Sequence, residues 1–186
     1  LKTVATSLFK IANDIRWLGS GPRTAIGEIM LPATQPGSSI MPGKVNPVMA
    51  EAVMQVVAQV MGNDTAIAWA GANGNFELNV MMPVLAHALL ESITLLSNIA
   101  RAFTDRCIVG IEANEERARE LLEKNPSIAT ALNPYIGYDE AAVVAKESAK
   151  RGVSVRQIVQ ERELLPEDQI DDALDVRSMT EPGLPE

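Results

Sequence analysis

Apolar residues recur every three to four positions at the start of the chain. Leu1, Val4, Leu8, Ile11, Ala12, Ile15 and Leu18 share one helical face, which predicts a helix over residues 1–18. Gly19-Ser20-Gly21-Pro22 stops it, and residues 23–36 read as an irregular connection. From Pro47 to about Trp69 the chain is apolar nearly all round, relieved by a stripe of Glu51, Gln55, Gln59 and Asn63. A second helix, roughly Asn79–Cys107, has the same character, with His87, Glu91, Thr94, Asn98, Arg101 and Asp105 as its polar line. Each is about 30–40 Å long at a rise of ~1.5 Å per residue. A helix that is apolar on most faces is buried on most faces. A chain of this length has too few other elements to cover two such rods. Partner copies are the natural cover, so the pattern predicts a homo-oligomer.

Beyond Gly110 the texture changes to short, charged, amphipathic segments. Asn114 is placed to cap a helix over 115–124, and Asn133-Pro-Tyr-Ile-Gly137 reads as a loop. A helix over about 139–151 ends at Gly152, Ser154 with Gln157 forms a capping box, and Pro166 opens a last helix. Residues 180–186 read as a frayed tail. The expected fold is all-α: a long-helix part over 1–110 and a small helical domain over 111–186. The glycine turn near 152 has the outline of a helix-turn-helix DNA reader. The acidic excess around it argues against a phosphate backbone as partner.

Composition adds three things. The chain is 47% hydrophobic but only 4% aromatic, with eight methionines, which suits helix packing more than sheet. Its single cysteine, Cys107, has no internal partner for a disulfide and fits a reducing, cytoplasmic compartment. No stretch reads as a secretory signal or an uninterrupted membrane span, and the expectation is no membrane and no nucleic acid. Charge is unevenly spread within the net −8. Residues 1–46 hold five Lys/Arg against two Asp/Glu, whereas residues 111–186 hold nine against seventeen.

The basic part contains the segment that breaks every period, Gln35-Pro-Gly-Ser-Ser-Ile-Met-Pro-Gly-Lys-Val-Asn-Pro47. Prolines at 36, 42 and 47 restrain it, and glycines between them let it bend. Asn46 is a preferred N-cap and Pro47 fits the first turn of the helix that follows. Free N–H groups at that terminus, with Lys44 beside them, favour an anion. Ser38 and Ser39 supply hydroxyls, and nearby cationic groups and N–H donors could activate one as a base. A phosphate-binding Gly-x4-Gly-Lys-Ser/Thr reading fails, because five residues separate Gly37 from Gly43 and Val45 follows the lysine. From the residues alone, an ordinary Gly/Pro/Ser connection remains an equal alternative to a catalytic loop.

Other chemistry-bearing residues read more blandly. His87, the only histidine, reads as a structural, hydrogen-bonded residue on a buried helix, one turn from Glu91. No spacing of His, Cys, Asp or Glu suggests a metal site, and the acidic run at 167–172 lacks the glycine of a calcium loop. Glu51 sits in a first helical turn, where the dipole alone accounts for a carboxylate.

The run 37–47 resembles the signature loop of the fumarase/aspartase superfamily of homotetrameric lyases. The resemblance extends, in order, through Ile11-Ala-Asn-Asp-Ile-Arg-Trp17, Gly74-Asn-Phe-Glu-Leu-Asn-Val80 and Ala131-Leu-Asn-Pro-Tyr-Ile-Gly-Tyr138. Gly43 and the Gly-Asn-Phe-Glu-Leu-Asn run are similar to class II fumarases. The aspartate ammonia-lyases typically carry Ala at the first position and a Gln-rich run at the second. The resemblance implies the C-terminal part of a class II fumarase, as the start at Leu1 without Met also suggests. The implied reaction, a step of the tricarboxylic acid cycle, is reversible hydration of fumarate to L-malate without metal or cofactor.

By the same resemblance Ser38 is the base, and Ser39, Lys44, the Val45 backbone and Asn46 bind the dicarboxylate. Glu51 would orient a catalytic histidine supplied by an earlier segment that this chain lacks, along with two substrate-binding segments. The expectation is therefore that the chain alone is inactive. A sibling lyase, aspartate ammonia-lyase above all, and a non-catalytic helical assembly module are the alternatives.

Overall fold

The opening period becomes α1, Lys2–Leu18, which buries Ala5 and Ala12 completely. The computed structural model describes residues 1–21, 24–35, 37 and 40–182. It separates the chain into two units, Leu1–Asn114 and Glu115–Glu186. Nearly all regular structure is helical, so the chain is all-α.

In the first unit, α2 (Val48–Ala72) packs against both α1 and α3 (Met82–Arg106). Val53, Val57 and Val60 of α2 meet Leu96, Ile99 and Phe103 of α3 and the two alanines of α1 in one core. Cys107 closes that core, and burial pushes its thiol pKa up, which keeps it protonated. A polar cluster fixes α2 against α3. Buried Asn63 donates from Nδ2 to Glu91 Oε2 at 2.8 Å and to Ser92 Oγ at 3.0 Å, and Gln59 Nε2 donates to Glu91 at 3.3 Å. Satisfied groups of this kind fix one register between otherwise greasy surfaces.

Several expectations need correction. The long helices are not among them: in this single chain they leave apolar surface uncovered, as expected of rods with too few neighbours, and Trp69, Met82 and Leu90 are each more than 60% exposed. His87 is exposed and makes no hydrogen bond among the described residues; Ala88 and Ser92, one position further round the helix, are the buried ones. Met82–Gly110 is also long and apolar enough to cross a membrane, with mean hydropathy 1.3. Its bonds to Asn63 and its share in the core make it a helix of the packed unit. Residues 23–36 are not wholly irregular: β1 (Ile29–Met30) pairs antiparallel with β2 (Glu112–Ala113), Ile29 opposite Ala113. Asn114 extends the tie, donating from N to Glu28 O at 2.8 Å and from Nδ2 to Gly27 O at 3.0 Å.

The turn between α2 and α3 is tight and stitched by asparagines. Asn79 donates from Nδ2 to Ala70 O at 3.0 Å and accepts from Met81 N at 2.8 Å. Asn75 and Leu78 bridge each other across it, with Phe76 at φ 53° and fully exposed.

The second unit has its own core of Ile128, Leu132, Val144, Val155, Ile158, Val159 and Ile170. It runs α4 (Glu115–Glu123), a 3-10 segment Pro126–Leu132, α5 (Asn133–Ile136), α6 (Tyr138–Arg151), α7 (Val155–Glu161) and α8 (Glu167–Ala173). The segment read as a loop at 133–137 is thus mostly helical, since Pro134 falls in a first turn, where proline costs nothing. Gly152 ends α6 at φ 67°, the left-handed conformation that glycine adopts without strain. Ser154 Oγ accepts from Gln157 N at 3.1 Å, while the Gln157 side chain turns forward to Glu161, so the capping box is half made.

Candidate functional site

The loop before α2 folds on itself. Met41-Pro42-Gly43-Lys44 carries the marks of a type II turn: proline second, glycine third at φ 76°, and Lys44 N donating to Met41 O at 3.2 Å. The Lys44 carbonyl then accepts from Gly37 N at 2.7 Å. Both backbone polar groups of Lys44 are therefore engaged inside the loop. Its ammonium, by contrast, is exposed and has no partner among the described residues.

Asn46 is not the N-cap that its sequence position suggests. Pro47 occupies that place at φ −77°, ψ 60°, and Val48 N donates to Asn46 O at 2.8 Å. This is an inverse γ-turn, which the proline ring favours by fixing φ. The Asn46 side chain is thereby released from the helix and donates from Nδ2 to Gly37 O at 3.1 Å. Val48 N is taken by the turn and Glu51 N by Pro47 O at 3.1 Å. The N–H groups of Val45, Met49 and Ala50 find no acceptor among the described residues. A helix terminus with free donors, next to an unpaired ammonium, is a place where negative charge is stabilised.

Ser38 and Ser39, the proposed base and its neighbour, lie outside the described residues. Of the remaining expected site residues, the structure brings Lys44, Val45 and Asn46 into one folded loop. It sets half-buried Glu51 one turn into α2, with no hydrogen bond to its carboxylate among the described residues. A cleft of about 680 Å³ opens beside the loop, lined by Lys44, Asn46, Ser20, Met30, Pro32 and Asn114 among others. The residues on its far wall were missed in the sequence, because no motif marks them: the β1–β2 ribbon and the end of α1 bring them there. A dent along α4, in the second unit, is lined by Glu115, Glu116, Glu120, Glu123 and Arg119. Four carboxylates against one guanidinium make it unsuited to an anion. Among the described residues no group of three His, Cys, Asp or Glu side chains is placed to hold a metal.

Sequence and fold comparisons agree on the relatives. Residues 1–62 match the family described as Lyase, and residues 128–181 match Fumarase C C-terminus. With the long-helix unit and the Gly37–Pro47 sequence, these matches place the chain in the fumarase/aspartase superfamily. Within it, the chain belongs to the class II fumarase family. The class II fumarate hydratase of Mycobacterium tuberculosis is 58% identical over 183 residues, which is 96% of this chain and 39% of that protein. An aspartate ammonia-lyase of Bacillus subtilis is 50% identical over 184 residues, 99% of this chain and 39% of that protein. The crystal structure of a class II fumarase from Schistosoma mansoni superposes with a TM-score of 0.87 at 36% identity, over 97% of this chain and 38% of that one. The cobalt-bound structure of a fumarate lyase:delta crystallin from Brucella melitensis gives 0.90 at 45% identity, again over 97% of this chain and 39% of that one. The chain thus spans about 39% of the length of the curated relatives it matches.

Proposed function

We propose that this chain contributes the anion-binding loop of a fumarate hydratase that interconverts fumarate and L-malate. The observation that carries this reading is the pairing of two donors that have no partner among the described residues, Lys44 Nζ and Val45 N–H, on a backbone held at Lys44 and Asn46.

In the elimination direction a proton leaves the carbon next to one carboxylate of malate, and the electron pair moves into that carboxylate. The carboxylate that receives it becomes an aci-form with two negative charges on that one group, one more than it has in malate. Fixed donors lower the barrier because they already point where that charge develops. Lys44, Val45 N–H, Asn46 and Ser39 hold the carboxylate, and Ser38 accepts the carbon-bound proton. A serine oxygen does this only if neighbouring positive charge keeps it ionised, and Lys44 is the cation six positions away. The carbon–oxygen bond then breaks and the hydroxyl leaves as water. Its proton comes through a histidine on another segment, which the Glu51 carboxylate orients.

Homo-oligomerisation belongs to the same reading. The exposed side chains of Trp69, Leu78, Val80, Met82, Leu90 and Ile93 form apolar surface along α2, α3 and their turn. Its burial is worth about 25 cal/mol per Å². The isolated chain is expected to elute well above its 20.0 kDa mass on gel filtration, without malate-to-fumarate conversion. A well-folded monomer contradicts the first statement, and turnover contradicts the second.

The test of function is a full-length chimera in which residues 1–186 replace the matching part of the Mycobacterium tuberculosis enzyme. It should convert malate to fumarate and leave aspartate untouched. Aspartate deamination in its place favours the reading that the Bacillus subtilis relative supports.

A further inference from the structure

The neck of the loop is closed by contacts that no substrate-binding role requires. Gly37 donates from N to Lys44 O at 2.7 Å and accepts at O from Asn46 Nδ2 at 3.1 Å. One residue thus uses both of its backbone groups to clamp the far end of the loop. The approach is so close that a side chain has no room. A Cβ on Gly37 would lie 2.7 Å from Lys44 O, 2.8 Å from Asn46 N and 3.0 Å from Asn46 Oδ1. Two of those three atoms are backbone, so relief cannot come from rotating a side chain. Gly43 differs: its positive φ serves the turn, and nothing lies within 4 Å of an added Cβ.

We infer that Gly37 is a positioning residue for the proposed hydration, closing with Asn46 a clasp that fixes the backbone of Lys44 and Val45. This rests on the functional reading above. Lys44 is held from both sides, by Gly37 at its carbonyl and by Met41 at its N–H, and Val45 lies between the two clamped residues. Misplacing a charge-stabilising donor by about 1 Å costs on the order of a hundredfold in rate, so a fixed backbone under these groups has catalytic value. Asn46 can close the clasp and still bind substrate. Its amide offers two hydrogens and an acceptor oxygen, and the Gly37 bond uses one hydrogen.

The experiment uses the full-length chimera and two variants, Gly37→Ala and Asn46→Leu. Gly37→Ala forces the neck apart, and Asn46→Leu removes the donor while leaving Gly37 its space. In both, amide exchange in the peptide covering 37–46 is expected to accelerate about tenfold or more, with the thermal midpoint unchanged. Gly37→Ala should also lower kcat about tenfold or more, with KM moving less than about threefold, because the groups lost act in the transition state. Unchanged exchange in Gly37→Ala overturns the clasp. Faster exchange with unchanged kcat overturns its positioning role. A folded chimera without hydratase activity overturns the functional reading instead, and exchange alone then decides the clasp.

Discussion

In the chimera, Ser38→Ala is expected to lower kcat about a hundredfold or more while the thermal midpoint and KM stay close to those of the parent. The proton to be removed sits on a carbon next to a carboxylate that is already negative, so it is weakly acidic and needs a strong, positioned base. Removing a general base typically costs 10²–10⁴-fold. The serine hydroxyl contributes little to ground-state binding, which Lys44 and the backbone donors supply, so the loss should fall on kcat. Ser39→Ala provides the contrast: a residue that binds carboxylate in ground and transition state alike should raise KM more than it lowers kcat. Near-parental turnover by Ser38→Ala removes Ser38 from the role of base.

The helices were legible because their periods are long. α1 needs only the spacing of Leu8, Ala12 and Ile15, and α6 ends at the glycine that sequence reasoning assigned to it. What failed is what depends on distant or very short pairings. A two-residue ladder such as Ile29–Met30 with Glu112–Ala113 has no alternation to detect, and its partners lie more than eighty positions apart. Two prolines and a glycine within 126–137 make 133–137 read as a loop, yet proline in a first turn opens helices as readily as it ends them, and α5 forms there. His87 reads as part of the polar line of a buried helix, yet α3 buries Ala88 and Ser92, one position further round, and leaves His87 exposed. On the side turned to α2, Asn63 reaches Glu91 and Ser92.

The site was legible as a segment but not as a geometry. Prolines, glycines and a lysine between two periodic stretches mark an unusual loop, and the resemblance assigned its chemistry. The γ-turn at Pro47 was invisible, because Asn-Pro before a helix is also an ordinary capping sequence. Once the turn forms, Asn46 exchanges the helix terminus for Gly37. The Met49 and Ala50 N–H groups are unpartnered among the described residues, whereas a side-chain cap would satisfy one donor of that first turn.

Those free donors bear on the second large effect, which Lys44 carries. Lys44→Met in the chimera keeps the length and apolar stem of the side chain and deletes its charge. It is expected to lower kcat/KM by about 2–4 kcal/mol, the range for losing one preorganised charge-stabilising donor. Two features place it high in that range. The ammonium has no ion-pair partner among the described residues, so substrate need not displace one to reach it. Its backbone is bound at both N–H and carbonyl, so little ordering remains to be done when substrate arrives. The helix-terminal donors of Met49 and Ala50 remain in the variant, and they should preserve part of the ground-state affinity for a dicarboxylate. The loss should accordingly appear in kcat as well as in KM, since the aci-form carries more charge than malate. Raising the ionic strength should weaken binding to the parent more than to Lys44→Met, because an exposed charge is screened within about 10 Å at 0.1 M salt. Unchanged kcat/KM in Lys44→Met shows that the ammonium points away from the substrate and takes the proposed anion site with it.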